Sequence, residues 1–148
     1  MPYLAFATPL GDITLFEDDG ALVSIDWGRA KGEQPSPLLT EARHQIDAYF
    51  DGELQDFDLP LRPEGTAFQR RLWNELRNIP YGHTASYGDI AHRIDSGPRA
   101  VGGACGRNPL PIVIPCHRVL ASGGRIGGYS GMEGLDTKRF LLRLEGAL

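Results

Sequence analysis

Strand-like and helix-like patterning are segregated along this chain of 148 residues, and that segregation narrows the fold more than any other feature. Residues 1–26 read as strands. "YLAFATPL" and "DITLFEDDGALVSIDW" are short runs of β-formers, broken at Pro9-Leu10-Gly11 and at Asp18-Asp19-Gly20. The second break closes on Asp-Gly, a hairpin signal. After the loop "GRAKGEQPSP", Ser36 as N-cap and Pro37 at the first helical position open a helix to about Phe50. Leu39, Ala42, Ile46 and Tyr49 keep its 3-4 spacing. "FDLPLRPEG" reads as one more short strand and then a linker. From there the chain is mostly helical, and strands in one stretch with helices in another predict an α+β fold.

In the helical half Thr66 caps a helix whose apolar stripe is Phe68, Leu72, Trp73, Leu76 and Ile79, stopped by Pro80. "SYGD" (Ser86 to Asp89) matches a capping box and opens a short helix containing Ile90, Ala91 and Ile94. Past the "DSG" turn, Pro98 starts another helix to about Arg107. Two short helices around a tight Gly-containing turn suggest a helix-turn-helix, although many helix pairs look alike without touching DNA. The second helix breaks a local rule. Gly102 and Gly103 lie in its middle, at about 1 kcal/mol each relative to Ala. Close helix packing is one explanation, and close approach of a ligand such as a DNA groove is the other. After the Gly-rich stretch "ASGGRIGGYSG", whose GxxG lacks any phosphate-loop context, a last helix runs from about Leu135 to a Gly146 C-cap. Glu145 sits at the negative end of that helix dipole and therefore needs solvent, a cation or a donor.

Composition limits the function classes. No apolar run approaches the roughly 18 residues that span a bilayer. The N-terminus "MPYLAFATPLGD" lacks a basic segment and carries Asp12, so a secretory signal is not expected and the expected location is cytoplasmic. With only Cys105 and Cys116, no CxxC pair and four scattered histidines, neither a disulfide nor a metal site is expected. Charge divides the chain: residues 1–61 hold 3 Lys and Arg against 12 Asp and Glu, whereas residues 62–148 hold 12 against 7. Such a split fits a second half that alone meets a polyanion, and equally fits two differently solvated faces.

The chemistry concentrates at "NPLPIVIPCHRVL", Asn108 to Leu120. A thiol is a strong nucleophile only as thiolate, and an imidazole that takes its proton directly or through one water is the usual activator. A third group then orients the imidazole, and Glu145 is available if the fold brings it close. In an extended segment neighbouring side chains point to opposite faces, so contact between Cys116 and His117 is not assured and a bridging water is plausible. The pair alone is weak evidence, because a free cysteine is more often a buried hydrophobe.

"PIVIPCHRVL" resembles the signature of the O6-alkylguanine-DNA alkyltransferases, DNA repair proteins that take an alkyl group from damaged guanine onto their own cysteine. "IPYGHTASYGDIA", "PRAVGGACGRNPLPI", "GGYSG" and "LLRLEG" resemble family segments in the right order, covering Thr66 to Gly146. The resemblance implies a small N-terminal ribonuclease-H-like α/β lobe over residues 1–61. A mostly helical winged-helix/helix-turn-helix-like domain for DNA binding and alkyl transfer would then cover residues 62–148. It implies Cys116 as alkyl acceptor, His117 as base through water, Glu145 as its orienter, and Tyr87 as donor towards guanine N3. Tyr129 and Ser130 would close over the extruded base and bond its O6, and Asn108 would tie the second helix to the Cys116 loop. Arg99 would fill the stack left by the flipped nucleotide, while Ala100, Gly102 and Gly103 would let that helix dock in the minor groove.

The implied partner is double-stranded DNA carrying O6-alkylguanine, with O4-alkylthymine as a further candidate substrate, acted on by a monomer without cofactor, metal or membrane. Base flipping costs a few kcal/mol, and a wedge, a small-residue helix face and a lid answer that need. No residue offers a means to cleave the S-alkyl product, so one turnover per molecule is expected. Cys105 is expected to be a packed core thiol. The alternatives are a non-catalytic damage sensor that binds and flips the base, a Cys-His hydrolase, and a transcriptional DNA-binding module with a structural Cys116.

Overall fold

The structure is a computed structural model that describes residues 1–126 and 134–148. It divides into two compact units, Met1–Glu64 and Gly65–Leu148, and has the α+β composition expected from the segregated patterning.

In the first unit β1 (Tyr3–Thr8), β2 (Gly11–Asp18) and β3 (Ala21–Trp27) form an antiparallel meander in the order β1-β2-β3. The β2–β3 turn has two residues, Asp19 and Gly20, both with positive φ (49° and 79°). That geometry matches the right-handed twist of the strands. Helix α1 (Pro37–Phe50) is capped by the Ser36 hydroxyl, which accepts from the Leu39 amide. Its buried stripe Leu39, Ala42, Ile46 and Tyr49 closes a core with Phe6, Ile13, Leu15 and Leu22. The expected strand at "FDLPL" is reduced to one isolated bridge, in which Leu61 pairs in parallel with Leu22. Only two ladder bonds form, Leu22 N–H to the Pro60 carbonyl and Arg62 N–H to the Leu22 carbonyl. Prolines at positions 60 and 63 supply no N–H to extend them.

In the second unit α2 (Ala67–Leu76) opens with a capping box in which Thr66 and Gln69 satisfy each other's backbone amides. It is shorter than its apolar stripe: Ile79 lies in the following turn, still buried. The indole N–H of buried Trp73 donates to the Ala104 carbonyl at 2.9 Å, fastening α2 to α4. The Ser86–Asp89 capping box opens α3 (Tyr87–Arg93). Ile94 is the C-cap of that helix rather than a residue within it. There Asp95 adopts φ 54°, with Ser96 N–H bonded to the Ala91 carbonyl and Asp95 N–H to that of His92. This left-handed helix stop delivers the chain to Gly97 and to Pro98, the first residue of α4 (Pro98–Cys105). α4 ends at Cys105, two residues before Arg107, with Gly106 as its C-cap. The last helix, α5 (Leu135–Leu144), has Glu145 as its C-cap, and Gly146 follows at φ 75°.

Candidate active site

Cys116 stands at the end of a tightly folded apolar segment. The carbonyl of Ile114 accepts from the Cys116 amide at 2.8 Å, with Pro115 between them at φ −83°, ψ 64°. This is an inverse γ-turn, and the proline ring presets its φ. Two residues earlier, Ile112 holds φ 75° although it is β-branched and buried. Such a conformation is costly and persists only where the surroundings over-determine it.

Cys116, His117 and Arg118 then form one 3-10 turn, and all three are buried. The segment is therefore not extended, and opposite-face geometry does not separate the thiol from the imidazole. β5 (Val119–Leu120) follows and pairs in parallel with β4 (Ala85–Ser86). Because Tyr87 comes directly after β4, this short pairing carries the first residue of α3 towards the Cys116 turn. Asn108, three residues beyond α4, donates from Nδ2 to the Ile114 carbonyl at 2.9 Å and to Cys116 Sγ at 3.2 Å. Its Oδ1 accepts from the Leu110 amide at 2.9 Å, so one side chain spans the whole segment.

His117 is fully buried, and its Nε2 lies 2.8 Å from Glu145 Oε2. Arg118 grips the same carboxylate with a two-pronged contact, Nε to Oε1 at 2.8 Å and Nη2 to Oε2 at 3.0 Å. Its Nη1 donates to the Ile79 carbonyl at 2.7 Å, and its guanidinium lies over the Tyr81 ring. A carboxylate so held is an acceptor, so His117 Nε2 carries the proton and donates. Nδ1 is then the nitrogen with a lone pair, and it is buried with no hydrogen-bond partner among the described residues. Burial, above all, keeps the imidazole below its ordinary pKa, which favours the neutral form.

Tyr87 is half-buried, and its phenol is pushed up to about 12, chiefly by desolvation and further by the negative charge that Cys105 or Cys116 would carry when ionised. It stays protonated at neutral pH and can donate. Cys105 is buried and also pushed up to about 12, chiefly by desolvation, so it stays a thiol. Lys138 is wholly buried, donates to the Val119 carbonyl at 2.6 Å and lies over the Tyr87 ring.

On α4, Arg99, Ala100 and Gly103 are exposed and Gly102 is partly exposed. A Cβ added at Gly102 or Gly103 would meet nothing within 4 Å. Helix packing against the described residues therefore does not explain these glycines. Tyr129 and Ser130 lie outside the described residues.

Two family models divide the sequence between them. The ribonuclease-like domain of 6-O-methylguanine DNA methyltransferase matches residues 1–63, and the DNA-binding domain of the same family matches residues 67–147. The chain belongs to this family. A methylated-DNA–protein-cysteine methyltransferase of Methanosarcina acetivorans is 45% identical, with 99% of each chain covered. The constitutive enzyme of that name from Bacillus subtilis is 38% identical over 97% of this chain and 94% of its own. Among solved structures, Mycobacterium tuberculosis OGT in complex with DNA superposes with a TM-score of 0.88 at 41% identity, covering 98% of this chain and 92% of that one.

Within this 6-O-methylguanine DNA methyltransferase, the structure groups Cys116, His117, Glu145, Asn108 and Tyr87 around one buried turn. Arg99, Ala100, Gly102 and Gly103 lie on the solvent-facing side of helix α4, away from its buried Val101, Ala104 and Cys105. Two residues escaped the sequence reading, Arg118 and Lys138. Arg118 lay inside the quoted motif, but no pattern distinguishes a buried arginine from a solvated one. Lys138 was legible in principle, since it shares a helical face with Leu141, Leu142 and Glu145.

Proposed function

We propose that this methyltransferase uses Cys116 to accept the alkyl group of O6-alkylguanine in double-stranded DNA, once per molecule and without a cofactor. The observation that carries the reading is the buried line His117–Glu145–Arg118 next to Cys116, which leaves one imidazole nitrogen, Nδ1, without a partner among the described residues. His117 Nδ1 takes the thiol proton through a water, and Cys116 Sγ displaces the alkyl carbon from O6. The S–C bond forms as the C–O6 bond breaks, and its electron pair leaves with guanine. Tyr87 donates its phenolic proton towards guanine N3, and the protons on His117 and lost from Tyr87 re-equilibrate with solvent. Glu145 orients His117, and Asn108 fixes the thiol through Sγ and the Ile114 carbonyl.

Residues 62–148 constitute the DNA-binding and transfer domain, and residues 1–61 the ribonuclease-H-like lobe. Arg99 fills the stack beside the flipped nucleotide while Ala100, Gly102 and Gly103 lie against the minor groove. That role fits glycines whose Cβ positions are empty. Tyr129 and Ser130 cover the base and bond its O6, and O4-alkylthymine is a second substrate of the same pocket. The protein acts as a cytoplasmic monomer. No helix among the described residues is long and apolar enough to cross a membrane.

Intact mass after mixing with an oligonucleotide containing methylated guanine tests the reading. One added methyl, absent in Cys116→Ala, is expected. Damage-dependent binding with no mass change in the wild type would instead identify a sensor.

A further inference from the structure

The mechanism above needs a bare lone pair on His117 Nδ1, yet the His117–Glu145 pair does not secure one by itself. A buried imidazole and carboxylate sharing a hydrogen bond readily hold one extra proton between them. If the carboxyl holds it, its O–H donates to Nε2 and the imidazole proton moves to Nδ1. If the imidazole holds it, both nitrogens carry protons. Either way Nδ1 loses its lone pair.

We propose that Arg118 is a positioning residue that keeps the His117–Glu145 pair one proton short, so that His117 Nδ1 stays an acceptor at neutral pH. Arginine does not lose its charge in proteins, and this one is 6% exposed. Its fork occupies Glu145 Oε1 and also reaches Oε2, the atom that faces His117. A proton on Oε1 would collide with the Arg118 Nε–H, and one on Oε2 would compete with two donors. Nη1 on the Ile79 carbonyl prevents the guanidinium from swinging away.

The other groups facing the pair act in the same sense or are neutral. Lys138 on α5, like Arg118, disfavours a charged imidazole. The Tyr81 phenol, beyond α2, is raised by burial and by Glu145 and remains uncharged. Cys116, on the same turn, is the proton's source. Glu145 also caps α5, where the helix dipole opposes a carboxylate, so the charge of Arg118 is what sustains it there.

The inference rests on His117 serving as the base, but its primary readout is the location of a proton in the DNA-free protein. Nitrogen NMR of histidine-labelled protein should show His117 Nδ1 unprotonated at pH 7 in the wild type and protonated in Arg118→Gln. Arg118→Lys, which restores the cation, should return it to the unprotonated form. Methyl transfer in Arg118→Gln should fall by roughly tenfold or more at pH 7 and recover as the pH rises, while the wild type changes little over that range. Slower transfer with Nδ1 still unprotonated and an unaltered pH profile would reduce Arg118 to a structural brace and overturn the proposal. If Arg118→Gln does not fold, a titration of the wild type decides. Uptake of a proton at Nδ1 at or above the ordinary histidine value of 6.5 overturns it, and resistance well below that value supports it. An Nδ1 that never releases its proton at any pH, with Nε2 the bare nitrogen instead, would refute His117 as the base rather than the role of Arg118.

Discussion

At the scale of single residues, the site is a set of buried hydrogen bonds that links Asn108 to Cys116, and both His117 and Arg118 to Glu145. Burial, above all, holds the His117 pKa below its ordinary value, and which nitrogen keeps its lone pair is set by what the other nitrogen touches. His117→Ala should slow methyl transfer about 10²- to 10⁴-fold at neutral pH, the usual contribution of a positioned base. Above pH of about 8.5, where a free thiol ionises unaided, the deficit should shrink. Single-turnover rates across pH measure this, and a deficit constant with pH would count against a proton-transfer role. The residue scale also contains what the sequence concealed. The motif "PCHR" exposed Cys116 and His117 by their chemistry, but Arg118 as the second partner of Glu145 was readable only as a need for solvent, a cation or a donor.

Secondary-structure elements decide what DNA can approach. The mid-helix glycines of α4 cost helix stability without relieving any contact, since a Cβ at either would meet open space. Gly102→Ala should therefore raise the melting temperature, through a helix-propensity gain of about 1 kcal/mol, while weakening affinity for duplex DNA. Thermal melts and a binding titration report the two effects. A stabilised variant with unchanged DNA affinity would remove α4 from the groove. Arg99 stands exposed near the start of the same helix. Arg99→Ala should slow transfer from duplex DNA more than from the free alkylated base, because only the duplex must be held open. Equal slowing on both substrates would contradict the wedge role. Caps and stripes made these elements readable in advance: Ser36, Thr66 and Ser86 all cap the helices they precede. Where the reading failed, at residues 57–61, alternating apolar residues lacked the neighbouring N–H groups a ladder requires.

For the whole molecule, buried ionisable groups link stability to pH. The His117 pKa is lower in the fold than its ordinary 6.5, because burial disfavours the charged ring. In the unfolded chain the ring charges as the pH falls through 6.5, whereas in the fold it resists. Its contribution is thus fully present above that value and is lost as the pH drops below it towards the depressed folded value. Melting temperature should decline between pH 7 and pH 5, and should decline less in His117→Gln. The exposed carboxylates Asp12 and Asp89 are held below 3.8 by Arg29 and by the Ser86 cap respectively. They change charge only at lower pH and do not obscure this window. Equal slopes for the two proteins would show that His117 does not set the acid limit.

The first three strands, the helices and the chemistry-bearing motif were legible in the sequence, because capping, turn residues and apolar periodicity act over a few neighbours; the β4–β5 pairing was not. The sequence also pointed to the family, since "PCHRV" and its flanking segments are specific. Tertiary structure alone decided which charges meet. Arg118 and Glu145 are 27 residues apart in sequence yet share a buried two-pronged contact. Lys138 spends its ammonium on a backbone carbonyl rather than on solvent. Long-range pairing of this kind arises from burial, where an ionised group must find a partner or lose its charge. No local pattern encodes which partner that will be.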